Sequence, residues 1–327
     1  YDATGAVKGL LIEEARTNVC TYSNDFVNQA FLKWLPTNIT VTPNSEVSPD
    51  GTTNATKFDM ASNGYTRKTT GHVPSVGQTY TFSVWIKAGT ASEVSTALLF
   101  SGSGLGYASV THTLTNEWQR FTVTKTVPSG TPDQVRARFV ATQAGTIFVY
   151  GAQIEEGAFP SSYIPTSDSS ATRAADVAII PRSSFGHHNE ASTWVVEFTP
   201  TFPSVDTNQS VLYRNGSGLD FHIWSTSAGT MTAQFMNSAA SPNSPITANQ
   251  TSKIAVMLKN GEYISVCVDG GSVSQNSILS DTTVHTPTVV GWADVDYELG
   301  GDQLGHIKSI QYYPRRLTDT QLQELTT

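Results

Sequence analysis

Aromatic and arginine side chains in the first half of the sequence have the chemistry of a carbohydrate-binding site. Such sites stack aromatic faces on the apolar side of a pyranose and bind its hydroxyls with planar polar groups. Trp85 lies opposite the apolar face of its predicted strand, and Arg136 and Arg138 alternate with apolar residues, so these side chains could flank one outward surface. The alternative is that Trp85 packs under a loop or against a second domain. The candidate site extends to Tyr65, Arg67 and Tyr107.

Acidic side chains near the two ends of this first half predict a calcium site. Terminal strands of a β-sandwich often lie side by side, which would bring Glu13 close to Glu155, and Asp25 could add a further oxygen. Carboxylate and carbonyl oxygens are the ligands that Ca²⁺ requires. The alternative is a solvated acidic edge, or pairing with Arg16 and Arg173. We expect Ca²⁺, if bound, to be structural, and no other cofactor.

One acidic segment, Asp294-Val295-Asp296-Tyr297-Glu298, could carry catalysis. On a strand its three carboxylates would line one face, a spacing similar to the Glu-x-Asp-x-Glu of concanavalin-like glucanases, in which one carboxylate attacks and another donates a proton. Asp294 replaces the glutamate of the nucleophile position, and the adjoining glycines indicate a loop, so an acidic loop or a calcium site is favoured. His187 and His188 would point apart on an extended segment. We therefore expect a protein without enzymatic activity.

The composition predicts an acidic, folded, all-β chain. Of its 327 residues 38% are hydrophobic and 10% aromatic, whereas only 14% are charged, and Ser, Thr, Asn and Gly fill the difference. A net charge of −8 argues against nucleic-acid binding. No apolar stretch approaches the roughly 20 residues of a membrane span. Cys20 and Cys267 lie in apolar stretches, which favours two buried free thiols over a disulfide.

Short alternating segments separated by turn residues predict the elements that must position these side chains. Seven such segments lie in the first half: Asn54–Asp59, Thr79–Lys87, Val94–Phe100, Tyr107–Leu114, Trp118–Val127, Gln134–Val140 and Gly145–Ile154. They precede a Pro- and Ser-rich linker at 159–176, whose aromatic residues we expect to pack on the first domain. Alternating segments continue after the linker. Asn260-Gly261 predicts a β-hairpin, and Thr318–Leu325 has the cap and apolar face of a helix. We predict two tandem antiparallel β-sandwiches (jelly rolls), at 1–170 and 171–327, with one short C-terminal helix.

Three passages of the sequence resemble virion structural proteins of phages and prophages, of the tail-fibre or spike type, including those of gene-transfer-agent-like particles. The passages bracket nearly the whole chain: Lys8 to Asn18 with Tyr22 to Phe26; Gly151 to Gly157 with Ser162 to Thr166 and Thr172 to Asp176; and Gly305 to Thr318 with Leu322 and Leu325. By this resemblance, 1–170 is similar to a carbohydrate-binding-module jelly roll of the galactose-binding-like kind. Residues 171–327 are similar to a concanavalin A/laminin-G-like sandwich.

The resemblance implies adhesion or particle architecture rather than chemistry. The leading hypothesis is a non-catalytic adhesin at the virion surface, in which many copies bind a bacterial surface glycan and thereby gain avidity. One alternative is a purely architectural protein that decorates or joins other virion proteins. Another is a polysaccharide depolymerase or glycosidase, for which the segment at 294–298 is the sole support. Fibres and spikes are commonly trimeric, so a homotrimer is also expected.

Overall fold

The computed structural model of the chain is built almost wholly from β-strands. It describes residues 7–27, 34–102, 105–181, 184–185, 188, 190–200, 209–214, 221–225, 231–235, 238–240, 246–247, 249–259, 261–277, 296–299 and 305–327. Within these residues the strands pair in antiparallel sheets, and the α-helix lies at the C-terminus. The predicted all-β class is confirmed.

The chain forms two compact units. The first unit is Ala15–Ala174, and the second unit combines Tyr1–Glu14 with Ala175–Thr327. This division differs from the predicted domains, 1–170 and 171–327, mainly at the N-terminus. There Leu10–Ile12 pairs with Gly305–Tyr313 of the second unit, so the first residues complete a sheet of the C-terminal sandwich.

The first unit contains one long antiparallel sheet and one short one. Its strands are β2 (Arg16–Asn18), β3 (Trp34–Glu46), β4 (Ala55–Thr69), β5 (Thr79–Ala88), β6 (Glu93–Ser101), β7 (Tyr107–Thr113), β8 (Gln119–Thr126), β9 (Gln134–Val140), β10 (Gly145–Glu156) and β11 (Ala171–Arg173). The long sheet has the order β7-β6-β9-β4-β10-β5-β8, with β3 also paired to β4, and β2 pairs with β11.

Strand β4 links the two layers of this sandwich. Its residues 56–60 pair with β10, and its residues 65–69 pair with β9. The sheet therefore folds over a common core, which is rich in aromatic rings. Phe82 from β5 meets Phe139 from β9 at 6.0 Å between ring centroids, and both side chains are fully buried. Such buried aromatic pairs stabilise the two layers against each other.

The second unit is a sandwich of two sheets. Its strands are β1 (Leu10–Ile12), β12 (Ala178–Pro181), β13 (Ala191–Pro200), β14 (Gln209–Arg214), β15 (Phe221–Ser225), β16 (Met231–Phe235), β17 (Ser238–Ala240), β18 (Ser252–Lys259), β19 (Tyr263–Val268), β20 (Ser274–Ser277), β21 (Asp296–Leu299) and β22 (Gly305–Tyr313). Over the described residues the sheets run β1-β22-β13-β18-β19-β20 and β12-β21-β14-β15-β16-β17.

The C-terminal helix α1 (Asp319–Thr326) covers the outer side of the first of these sheets. Leu322 is fully buried in a small cluster with Leu317 and Met257 of β18, while the main core lies on the other side of the sheet. The predicted helix is confirmed, with a Thr cap and Leu322 on its inner side. Among the described residues, no helix has the length and apolar character that a membrane span requires.

Two further local predictions agree with the structure. Strands β18 and β19 form the predicted hairpin, with Gly261 at φ +73°, whereas Asn260 lies outside the described residues. Cys20 and Cys267 are both free and buried, as expected from their apolar neighbours. Burial raises the pKa of the Cys20 thiol to about 12, so at neutral pH this thiol stays protonated and unreactive.

Candidate functional site

Several of the predicted sugar-binding residues share one outward face of the first unit. Arg67 on β4 lies directly opposite Arg138 on β9, and Arg136 lies level with Leu99 of β6 and, through it, with Tyr107 of β7. Opposed residues, and residues two apart in a strand, point to the same side of a sheet. We call this surface the arginine face; its members are Tyr65, Arg67, Tyr107, Arg136 and Arg138.

The alternation of β9 (Gln134–Val140) explains why the sequence presents these side chains outward. Val135, Ala137 and Phe139 are fully buried on the core side. Arg136 and Arg138, between them, are half-buried on the opposite side. A period of two in a half-buried strand fixes this orientation, because a slip of one residue would place both guanidinium groups in the core.

A ring contact restrains Arg138 in the arginine face, whereas Tyr107 is exposed to solvent. The guanidinium carbon of Arg138 lies 4.6 Å from the centroid of the Tyr65 ring, a cation–π contact. The side chain of Arg136 reaches Gln134, with Nη2 donating to Oε1 at 3.5 Å. Tyr107 is 65% exposed at the far side of the face. The face thus offers one free aromatic ring and several guanidinium N–H groups.

The arginine face carries positive charge that the described residues do not neutralise. Among them, no carboxylate forms an ion pair with Arg67, Arg136 or Arg138. Like charges directly opposite one another in a sheet are destabilising, and Arg67 and Arg138 are such a pair. Planar donors beside exposed aromatic rings can bind the hydroxyl or anionic groups of a polar ligand.

Trp85 does not belong to this face. Phe82 and Phe139 meet in the core, and Trp85 lies on the side of β5 that faces away from Phe82. Arg138 likewise lies on the side of β9 that faces away from Phe139. The outward directions of the two strands are therefore opposed, and the structure separates Trp85 from the other five predicted sugar-binding residues.

Residues of β8, of β10 and of the segment that follows β10 surround Trp85. The guanidinium carbon of Arg120 lies 6.0 Å from the Trp85 ring, and Arg120 donates to the carbonyl of Ser161 at 2.6 Å. A Cβ on Gly151, whose φ is +63°, would lie within 3.5 Å of both Trp85 and Tyr163. Trp85 is half-buried in this packing, which agrees with the alternative interpretation that it packs under a loop. Sugar binding by Trp85 stays a prediction.

The structure gives local hydrogen bonds for each of the predicted calcium ligands. Glu155 is fully buried and accepts hydrogen bonds from Gln153 and Ser161, whereas Asp25 accepts from the backbone N–H of Val27. Glu13 belongs to the second unit, where its backbone N–H donates to Asp176. Over the described ranges, no group of three His, Cys, Asp or Glu side chains is placed to hold a metal ion. Calcium binding stays a prediction.

The acidic segment of the second unit is described only in part. Asp294 lies outside the described residues, and Asp296–Leu299 forms β21, which pairs with β12 and β14. The backbone at Asp296 and Glu298 is thus a strand, as the predicted alignment of their carboxylates on one face requires. Their side chains are not among the described parts of the structure. His187 is also outside it, and the backbone of His188 donates to the Tyr312 hydroxyl at 2.7 Å.

The sequence placed Arg67 in the candidate site, but its position directly opposite Arg138 was not apparent from the sequence. Tyr65 and Arg67 have the same period of two as Arg136 and Arg138, which was the available signal. Their strand, however, contains Gly64 and Asn63, which are typical of turns, so the predicted strand ended at Asp59. The structure continues β4 to Thr69 and thereby brings Arg67 level with Arg138.

Comparison with known proteins finds no matching family model and no matching curated protein. Similar solved structures include the CBM40 of the Ruminococcus gnavus IT-sialidase, with 18% identity, a TM-score of 0.36 and coverage of 44% of this chain and 87% of that one. A CBM4 structure has 22% identity, a TM-score of 0.33 and coverage of 41% and 97%. A heptameric SAP-like pentraxin from Limulus polyphemus has 12% identity, a TM-score of 0.32 and coverage of 42% and 70%. Similarity at this level establishes neither a family nor a function for the chain.

Proposed function

We propose that this chain is a non-catalytic virion protein that binds host cell-surface polysaccharide. The resemblance of its terminal and central passages to tail-fibre and spike proteins supports this setting. In that setting the chain contacts other virion proteins at the particle surface, and a bacterial surface glycan is its external partner. A homotrimer, and many trimers on one particle, would multiply a weak single-site affinity into useful avidity.

The observation that carries the binding proposal is the arginine face. It combines the exposed ring of Tyr107 with the half-buried guanidinium groups of Arg136 and Arg138 on one side of a rigid sheet. A ring of this kind can stack on the apolar side of a pyranose while the guanidinium groups donate to its oxygens. A site on paired strands keeps its geometry without a ligand, so little ordering cost opposes binding.

The substitution Tyr107→Ala tests this proposal. Because Tyr107 is 65% exposed, its loss should leave the fold intact and should weaken glycan retention by about fivefold to tenfold. The measurement is retention of the bead-clustered chain on an array of bacterial surface polysaccharides and on whole cells, with and without calcium. Clustering on beads replaces the avidity of the particle.

The matched control is Val47→Ala, which shortens another exposed apolar side chain of the same unit, 49% exposed. Val47 follows Glu46, which pairs with Ala55 at the end of β4 opposite to Arg67. We expect this variant to bind like the unsubstituted chain. Equal retention by Tyr107→Ala and the unsubstituted chain would contradict binding at this face. Failure of the unsubstituted chain to bind any bacterial polysaccharide would contradict the proposed function itself.

A further inference from the structure

The arginine face concentrates positive charge on a chain that is acidic as a whole. The net charge of the chain is −8, yet Arg67, Arg136 and Arg138 lie together on one outward surface. No carboxylate of the described residues forms an ion pair with them. Arg67 and Arg138 are directly opposed across two strands, so their charges repel each other in the free protein. An anion placed between them would remove that repulsion.

We propose that the arginine face binds an acidic glycan, through the carboxylates of its sugar residues; this inference rests on the proposed function and specifies its ligand class. A carboxylate matches the planar donor fork of a guanidinium group and can accept two parallel hydrogen bonds from it. Arg67 and Arg138 are the main ligands, and Arg136 extends the positive surface toward Tyr107. A glycan has the polar ring oxygens and apolar ring face that this combination accommodates.

The ring of Tyr65 prepares Arg138 for this role. The Tyr65 ring lies 4.6 Å from the guanidinium carbon, and Nε of Arg138 is buried without a hydrogen-bond partner, so a ligand would be bound by the Nη groups. Stacking also restricts the side chain, so less conformational freedom is lost when the carboxylate binds. Arg67 is exposed and lies directly opposite Arg138 on the paired strand. The two arginines can therefore hold one carboxylate from two sides.

The net negative charge of the whole chain favours a sugar polymer over a nucleic acid. Binding to nucleic acid requires a broad excess of Lys and Arg that neutralises many phosphates. This chain has 19 basic and 27 acidic residues, so such an excess exists only locally. A local patch suits a ligand whose charges are spaced by sugar rings. Increasing salt should weaken its binding, because the exposed guanidinium groups are screened.

The experiment uses acidic bacterial capsular polysaccharides, each immobilised beside its carboxyl-reduced neutral form. Reduction converts each carboxylate to a hydroxymethyl group and leaves the sugar backbone in place. The full chain, clustered on beads, should be retained at least tenfold more on one or more acidic forms than on their reduced partners. Arg67→Gln should reduce that retention by about tenfold. Arg138→Lys, which keeps the charge but loses the planar fork, should reduce it by a similar factor.

The matched control is Arg315→Gln, which removes one exposed arginine charge from the second unit. We expect this variant to bind like the unsubstituted chain, and thermal melting confirms that each variant is folded. Equal retention on acidic and reduced forms, with loss in Tyr107→Ala, would overturn the acidic ligand and leave the proposed function standing. Unchanged retention by Arg67→Gln would also overturn it. No binding to any polysaccharide would overturn both.

Discussion

Buried polar side chains of the first unit form hydrogen bonds that hold the segment following β10. Asn18 is fully buried; it donates to the carbonyl of Ile164 at 2.8 Å and accepts from the backbone of Ile154 at 3.0 Å. Glu155 is also fully buried and accepts from both the N–H and the hydroxyl of Ser161 at 2.7 Å. Buried polar groups are stabilising only when they are paired in this way. The polar passage from Gly151 to Thr166 therefore has a structural explanation.

Replacing Glu155 by Ala tests this network at the residue scale. The substitution leaves the Ser161 donors and the Gln153 amide without their buried acceptor, so the free energy of unfolding should fall by about 3 kcal/mol. Urea denaturation measures the loss, and Glu117→Ala at an exposed position should cost far less. If Glu155 acts only through these hydrogen bonds, the free energy of unfolding should fall by the same amount in EDTA and in calcium. A larger loss seen only with calcium would support the metal site predicted from the sequence.

At the element scale, a strand in which burial alternates without interruption could be predicted from the sequence. Strand β9, for example, has the predicted bounds of Gln134–Val140. Strand β3 (Trp34–Glu46) was missed, because Pro36 and two asparagines resemble turn residues. Asn38 and Asn44 have φ values of +53° and +51° and lie at the two register shifts between β3 and β4. The bulges absorb residues that a regular strand excludes, and only the pairing partner reveals them.

Helix α1 depends on its cap as well as on its apolar side. The Thr318 hydroxyl accepts from the Gln321 N–H at 3.3 Å, and the Gln321 side chain accepts from the Thr318 N–H at 2.9 Å. Thr318→Ala should therefore lower the free energy of unfolding by about 1 kcal/mol, and Leu322→Ala, which leaves a cavity, by about 3 kcal/mol. Hydrogen exchange of the β18 and β19 amides, which α1 covers, measures both. Thr320→Ala, at an exposed helical position, should have little effect; a loss equal to that of Thr318→Ala would contradict the capping role.

At the scale of the whole molecule, the candidate site depends on how the first unit closes. The sequence indicates that Trp85, Arg136 and Arg138 point outward from their strands, and all three do. The outward sides of β5 and β9 face different directions, because Phe82 and Phe139 come from opposite layers around one core. The period of two along a strand determines which side of the strand a residue faces. The strand order and the folding of the sheet determine which of these sides form one surface. The latter depends on long-range pairing that local patterns do not contain.

Both units contain histidines whose burial links stability to pH. Burial lowers the pKa of His72 and His112 in the first unit and of His306 in the second, below the value of 6.5 that each has in an unfolded chain. His112 lies under the ring of Phe121 at 4.3 Å, and its Nε2 is 2.7 Å from the Thr96 hydroxyl. Between the lowered pKa and 6.5, the unfolded chain binds more protons than the folded one. The free energy of unfolding therefore rises with pH in that window.

Urea denaturation between pH 5 and pH 7.5 should accordingly give a protein that loses stability as the pH falls below about 6.5. His112→Gln removes one of the groups that must stay neutral in the folded state, so its stability should depend less steeply on pH over the same range. The control Thr113→Gln introduces the same side chain at an exposed position beside His112, removes no titratable group, and should keep the slope of the unsubstituted chain. The sign of the slope is the decisive observation: stability that increases on acidification would mean that the folded chain stabilises the charged imidazoles, contrary to their burial. An unchanged slope in His112→Gln would assign the pH dependence to other groups.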